Sequence, residues 1–205
     1  MVFIVGLGPG HRDYILNKAR EVLKKCDYII GFKRAMDSLN FIENKKIYIK
    51  RLSEINKFIE EDSYYIHKDI AIVASGDPTF YGILNYIKEN TKVSLEVVPG
   101  ISSFQYLTSK MRVPWNNAFL GSLHGRECDF LGKVRENDIS IWLTDKENTP
   151  AKLCNLLYQN NIDCSVIIGE NLSYEDEVIN TGKPEEFINK EFSVLNIFIV
   201  KDVNA

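Results

Sequence analysis

Residues 71–82 read AIVASGDPTFYG. Small apolar residues at 71–74 run directly into Gly76, Asp77 and Pro78, so a buried strand ends abruptly in a polar, glycine-bounded turn. In an open parallel sheet, ligands collect just beyond the carboxyl ends of the strands. The turn is therefore read as one wall of a site, and the fold follows from how often the pattern recurs.

It recurs on both sides. The apolar run 2–5 ends in Gly6-Leu7-Gly8-Pro9-Gly10, and the run 95–98 ends in Pro99-Gly100-Ile101-Ser102-Ser103. After the first run, Ile15, Leu16, Ala19, Val22, Leu23 and Cys26 have the spacing of one helical face, which predicts a helix over 14–26 with Asp13 as its N-cap. A strand is predicted at 28–30 before a helix bearing Lys33 and Arg34, and helices are predicted over 79–89 and 102–110. Four strands alternating with helices argue for a mainly parallel sheet with right-handed crossovers.

The periodicity fails at 112–117, where Pro114 disfavours helix before it. A boundary is placed there, giving an N-terminal α/β domain over 1–113 and a C-terminal α/β domain over 114–205. Strands are predicted in the second half at 118–123, 139–143, 165–168, 177–181 and 194–200, with fewer helices between them. Two late strands separated by few residues point to a mixed sheet with antiparallel pairs.

With 205 residues, 45% of them hydrophobic, the chain can bury a sizeable core. Its 25 basic and 28 acidic residues give a net charge of -3, without the basic excess of a phosphate-backbone binder. Cys26, Cys128, Cys154 and Cys164 are scattered, as are His11, His67 and His124, which argues against a disulfide framework or a built-in metal site. The first residues lack the features of a secretory signal, and no apolar run approaches the ~20 residues of a membrane helix. A cytoplasmic, enzyme-sized protein is expected.

Gly6-Leu7-Gly8-Pro9-Gly10 stands where a dinucleotide fingerprint would lie, but the third glycine of that motif falls on His11 and its acid on Gly31. A nicotinamide cofactor is disfavoured on both counts, and no Walker-type phosphate loop is present. Pro9 removes a main-chain donor and stiffens a loop whose glycines let a ligand approach the backbone closely, which suits a bulky ligand better than a phosphate. Taken singly, each loop is equally a tight turn or a helix cap. Three of them on one edge of one parallel sheet favour a binding site.

GLGPG, SGDPTFYG and VPGISS, in this order and at these spacings across essentially the whole chain, resemble the tetrapyrrole methylase family. That resemblance implies S-adenosylmethionine-dependent enzymes with two α/β domains and a cofactor cleft between them. Within the family, GLGPGHRDYIL, GFKR, SLHGR at 122–126 and GENLSYEDE at 169–177 are similar to the CbiE-type branch, which methylates the C-5 meso carbon of precorrin-7 in cobalamin biosynthesis. By resemblance, a CbiT-type decarboxylating methyltransferase is expected as a separate chain, and this chain as a homodimer.

The resemblance also implies site residues. Gly8, Pro9, Asp77, Phe80, Ser102 and Ser103, with Thr144 and Leu172, are expected to hold S-adenosylmethionine and its product S-adenosylhomocysteine. A precorrin carries many carboxylates, which guanidinium groups bind in a forked geometry, so Arg34 and Arg126 are candidate substrate contacts together with His124 and Asn171. Glu170 and Tyr174 are further candidates. His124 is also the candidate base for proton loss after methylation. Glu175, Asp176 and Glu177 are read as a solvated turn. A methylase acting at another position or on RNA or protein, and a non-catalytic nucleotide- or tetrapyrrole-binding module, stand as alternatives.

Overall fold

The computed structural model describes residues 1–125 and 128–202. The chain divides into two compact α/β units, Met1–Ser103 and Phe104–Ala205. In the first, β1 (Val2–Gly6), β2 (Tyr28–Phe32), β3 (Lys45–Ile49), β4 (Ile70–Ala74) and β5 (Leu95–Val98) form a parallel sheet in the order β3-β2-β4-β1-β5. The connections carry α1 (Asn17–Lys25), α2 (Lys33–Asp37), α3 (Glu54–Asn56) with a π-helical extension over Lys57–Glu61, α4 (Ser63–Ile66) and α5 (Ile83–Asn90).

The sheet is covered on both faces, which is why its central strands read as unbroken apolar runs. Side chains alternate between the faces. Val5, Ile29 and Val73 pack with Ala19, Leu23 and Met36 on one side, while Ile4, Ile30 and Ile72 pack with Ile55 and Ile87 on the other.

Three local expectations change. β3 was not foreseen, because KKIYI is a short edge strand in which Lys45 and Tyr48 are exposed. α1 begins at Asn17 without a side-chain cap, and Asp13 instead lies in a 3-10 turn, Arg12–Tyr14, where the His11 ring accepts from its amide at 3.3 Å. Extended backbone at Ile15 and Leu16 separates the turn from the helix. α5 starts at Ile83 and not at 79, because Asp77 holds residues 77–79 in a turn of their own.

The second unit holds α6 (Ser103–Met111), whose first residue belongs to the first unit, then β6 (Phe119–Ser122), α7 (Phe130–Glu136), β7 (Ile139–Leu143), α8 (Pro150–Gln159), β8 (Cys164–Glu170), β9 (Val178–Gly182) and β10 (Asn196–Asp202). The sheet order is β6-β7-β10-β8-β9; β6 and β7 are parallel, and β10 runs antiparallel to both β7 and β8. Trp142 is fully buried, edge-on to Phe130 at 5.1 Å, and its indole N–H donates to Ser140 Oγ at 2.9 Å. All five strands expected in this half are present.

Among the described residues no helix is long and apolar enough to cross a membrane. α8 opens with Thr149, whose hydroxyl accepts from Lys152 N at 3.3 Å, followed by Pro150 in the first turn. Thr149→Ala is expected to cost about 1 kcal/mol, read as a small fall in melting temperature with no effect on ligand affinity.

Candidate functional site

β4, β1 and β5 are neighbours, so the three glycine loops leave one sheet edge side by side. Leu7 N donates to Ala74 O at 2.9 Å, and Gly8 and Gly76 exchange both main-chain bonds, at 3.3 and 2.8 Å. The Leu7 bond carries the parallel β1–β4 ladder one step further, and the reciprocal Gly8–Gly76 pair is an isolated antiparallel bridge that joins the two loops. The third loop closes against them. A Cβ at Gly6 would lie 2.6 Å from Gly100 N and 2.8 Å from Gly76 O, so three backbones meet where no side chain fits. Gly76 has φ +69, and a Cβ there would meet nothing closer than Ser102 Cα at 3.8 Å, which leaves its main chain approachable. Pro9 and Ser102 are buried. Gly31 packs where a Cβ would stand 2.4 Å from Val73 Cγ2, so the place of the dinucleotide-fold acid is taken up by core packing.

Asp77 fastens the junction. Its Oδ1 accepts from Thr79 N at 2.7 Å and from the Thr79 hydroxyl, while Oδ2 accepts from Gly100 N at 3.0 Å. The first pair is an Asx-type turn; the second ties the loop after β4 to the loop after β5. Phe80 follows, half-buried, its ring edge-on to Tyr81 at 5.0 Å, with Tyr81 held at φ 49. Ser103 begins α6.

In the second unit the carboxyl ends of β6, β7 and β8 share an edge with the amino ends of β9 and β10. That edge gathers His124, Thr144, Glu170, Asn171 and Leu172, taken from three separate stretches of sequence. Thr144 is buried and donates its hydroxyl to Asn196 Oδ1 at 2.6 Å. His124 is exposed; its amide donates to Ser122 Oγ at 3.3 Å, and its Nδ1 lies 3.4 Å from Thr144 O. With Nδ1–H donating to that carbonyl, the Nε2 lone pair is left available as an acceptor. Arg126 lies outside the described residues.

Asp145 organises this loop pair, and no sequence pattern marks it because its partners are main-chain amides. Its carboxylate accepts from Gly125 N at 3.0 Å, Asn148 N at 2.7 Å and Glu147 N at 2.9 Å. Those bonds, Gly125 first, hold its pKa below the ordinary carboxylate value against a smaller effect of burial. A depressed folded-state pKa means the contact is complete at neutral pH and is lost as pH falls through that lowered value. The Gly125 amide resonance is therefore expected to titrate with a midpoint below the ordinary aspartate range, and an unshifted midpoint would show that the carboxylate does not hold this loop.

The loop after β8 is built from left-handed backbone and carboxylates. Asn171 and Ser173 adopt φ 45 and 69, conformations that cost non-glycine residues roughly 1 kcal/mol or more each. Asn171 gives its amide N–H₂ to Asp176 at 2.8 Å, takes the Ser193 hydroxyl at 2.8 Å, and donates its main-chain N–H to Leu195 O at 2.9 Å. Glu170 accepts from Ser193 N at 2.6 Å and Asn180 Nδ2 at 3.2 Å. Leu172 is buried over Gly169. Glu177 is not part of a solvated turn: its side chain is 18% exposed, accepts from Ser173 N at 2.6 Å and pairs with Lys110 at 3.3 Å.

Arg34 is exposed on α2 at the carboxyl end of β2, with no side-chain partner among the described residues, whereas its neighbour Lys33 pairs with Asp37 at 2.7 Å. Cys26, Cys154 and Cys164 are buried thiols whose pKa burial pushes up, to about 12 for Cys154, so none is a poised thiolate nucleophile. Among the described residues no group of three or more His, Cys, Asp or Glu side chains could hold a metal ion.

The chain is 32% identical to a protein of Methanocaldococcus jannaschii named probable cobalt-precorrin-7 C(5)-methyltransferase, over 97% of each chain. It is 26% identical to the cobalt-precorrin-7 C(5)-methyltransferase of Salmonella typhimurium, over 98% of this chain and 99% of that one. The fold matches the crystal structure of the precorrin-6Y methylase cbiE from Archaeoglobus fulgidus with a TM-score of 0.76, at 20% identity, covering 98% of this chain and 97% of that one. A family model described as tetrapyrrole (corrin/porphyrin) methylases matches residues 1–188, and with the 32% identity over 97% of each chain to the Methanocaldococcus protein, the chain belongs to the tetrapyrrole methylases.

Proposed function

We propose that the protein is an S-adenosylmethionine-dependent C-methyltransferase of cobalamin biosynthesis that methylates the C-5 meso carbon of precorrin-7 or its cobalt form. The observation that carries this reading is the match, over 97% of each chain, to a relative bearing that name. The approachable main chain of Gly76, beside the junction of the β1, β4 and β5 loops, supports it, since a compact ligand can rest on backbone there. S-adenosylmethionine supplies an electrophilic methyl group whose bond to sulfur breaks as the new carbon–carbon bond forms, leaving neutral S-adenosylhomocysteine.

In this reading Gly8, Pro9, Asp77, Phe80, Ser102, Ser103, Thr144 and Leu172 bind the donor. Displacement at a methyl carbon needs the nucleophile in line with the departing sulfur, so these residues act by orientation and not by bond-making. Asp77 contributes from behind, through Thr79 and Gly100. Arg34 and Arg126 take substrate carboxylates, Asn171 shapes the rim of the substrate site, and His124 Nε2 accepts the proton lost from the methylated carbon. The reading extends to a cytoplasmic homodimer supplied by a separate decarboxylating methyltransferase.

Titration calorimetry with S-adenosylhomocysteine tests it. Saturable binding is expected for the wild type and none for Pro9→Trp, which crowds the loop, with a thermal melt run beside the titration to show that the variant is folded. Incubation with cobalt-precorrin-7 and donor is then expected to add one methyl group to the macrocycle. Absence of binding with and without a precorrin analogue would end the methylase reading, and binding without turnover would leave a ligand-binding module.

A further inference from the structure

The residues that give the loop after β8 its shape converge on Glu177. One carboxylate oxygen takes the Ser173 amide at 2.6 Å, the other stands 3.3 Å from Lys110 Nζ, and the Tyr106 hydroxyl hydrogen-bonds the same carboxylate. Tyr106 is 7% exposed, and its pKa is pushed up to about 12, by burial and then by this carboxylate. Burial alone would raise Glu177, but the Ser173, Tyr106 and Lys110 contacts reverse this and leave its pKa below the usual glutamate value. Tyr106 and Lys110 are four residues apart on α6, hence on one helical face, and Leu107 on the same face reaches the space over Gly169 that Leu172 also fills. An exposed turn would need none of this. Two left-handed residues flank Leu172, and such backbone persists only where its surroundings over-determine it.

We propose that Glu177 is a positioning residue of the site: it clamps the Ser173 amide to the Tyr106–Lys110 face of α6 and so fixes the Leu172 main chain relative to the helix that starts at Ser103. This rests on the reading that Leu172 and Ser103 meet the methyl donor, and it adds a residue that makes no contact with donor or substrate. The α6 face and the β8 loop form a single rigid unit, so donor affinity depends on a carboxylate that acts only through main chain.

The test compares wild type, Glu177→Gln and the double variant Tyr106→Phe/Lys110→Met by calorimetry with S-adenosylhomocysteine, by melting temperature and by steady-state methyl transfer. Glutamine keeps one acceptor and presents an N–H₂ group where the second is needed. Glu177→Gln is expected to weaken S-adenosylhomocysteine binding about tenfold, the scale of one charge-assisted hydrogen bond. Donor KM is expected to rise more than kcat falls. Should Glu177→Gln fail to fold, the double variant decides, with a smaller loss of affinity expected. Unchanged affinity in whichever folded variant is measured, with only the melting temperature lowered, overturns the proposal and leaves Glu177 a purely structural residue. Failure of the wild type to bind the probe would instead overturn the function on which the proposal rests.

Discussion

Gly100→Ala is expected to abolish measurable S-adenosylhomocysteine binding and to lower the melting temperature clearly. The added Cβ would lie 2.2 Å from Gly76 O, 2.9 Å from Gly6 C and 3.0 Å from Gly6 Cα. All three are backbone atoms, so no side chain can rotate away, and one loop must move bodily. Overpacking of this kind costs typically 1–3 kcal/mol, and a chain of this size loses about 2–4 °C per kcal/mol. The effect on the site is larger, because a displacement of about 1 Å in a positioning element can cost on the order of a hundredfold. Calorimetry beside a thermal melt separates the two effects. A folded Gly100→Ala protein that binds S-adenosylhomocysteine within threefold of wild type would show that the junction of the three loops does not form the donor site.

Asp77→Ala is expected to weaken the same binding by about ten- to a hundredfold. The substitution removes the acceptor for Thr79 N, the Thr79 hydroxyl and Gly100 N together, and hydrogen bonds to a charged acceptor are worth roughly 1.5–3 kcal/mol each before solvent screening reduces them. Asp77→Asn is the informative partner. Its single carbonyl oxygen can keep the Thr79 turn, but its N–H₂ group then faces Gly100 N, so it is expected to fall between wild type and alanine. Amide exchange at Gly100 gives an independent readout, with protection lost in both variants. Full affinity in Asp77→Asn with protection at Gly100 lost would show that the cross-loop bond is dispensable.

The carboxyl-end loops of the first unit were legible in the sequence because glycine and proline interrupt apolar runs there, and a buried parallel strand leaves few other patterns. The parallel sheet and its three neighbouring loops followed from that punctuation alone. β3 was hidden because an edge strand with exposed Lys45 and Tyr48 carries neither a continuous apolar run nor a long alternation. The start of α5 was hidden by chemistry: Asp77 competes for the backbone of residues 77–79 and delays the helix to Ile83.

In the second unit the five strands were legible and the use of their loops was not. Glu177 reads as one of three consecutive acids, and only its approach to Ser173, Tyr106 and Lys110 distinguishes it from Glu175. Asn171, expected at the substrate, also gives its side-chain N–H₂ to Asp176 and takes the Ser193 hydroxyl on its Oδ1, contacts that nothing in the linear pattern marks. Partners supplied by main chain or by distant turns leave no mark in a linear pattern.

The position of β10 bears on the order in which the molecule is made. Every strand of the first sheet lies within residues 1–98, so that unit can close while the rest of the chain is still being synthesised. The second sheet has no such freedom. Its middle strand is Asn196–Asp202, and the β6–β7 pair and the β8–β9 hairpin have no partner on their inner edges until that strand arrives. Ribosome-bound chains stopped before residue 196 should therefore carry a protease-resistant first half and a second half held open, its apolar strands exposed to chaperones until Asn196–Asp202 emerges.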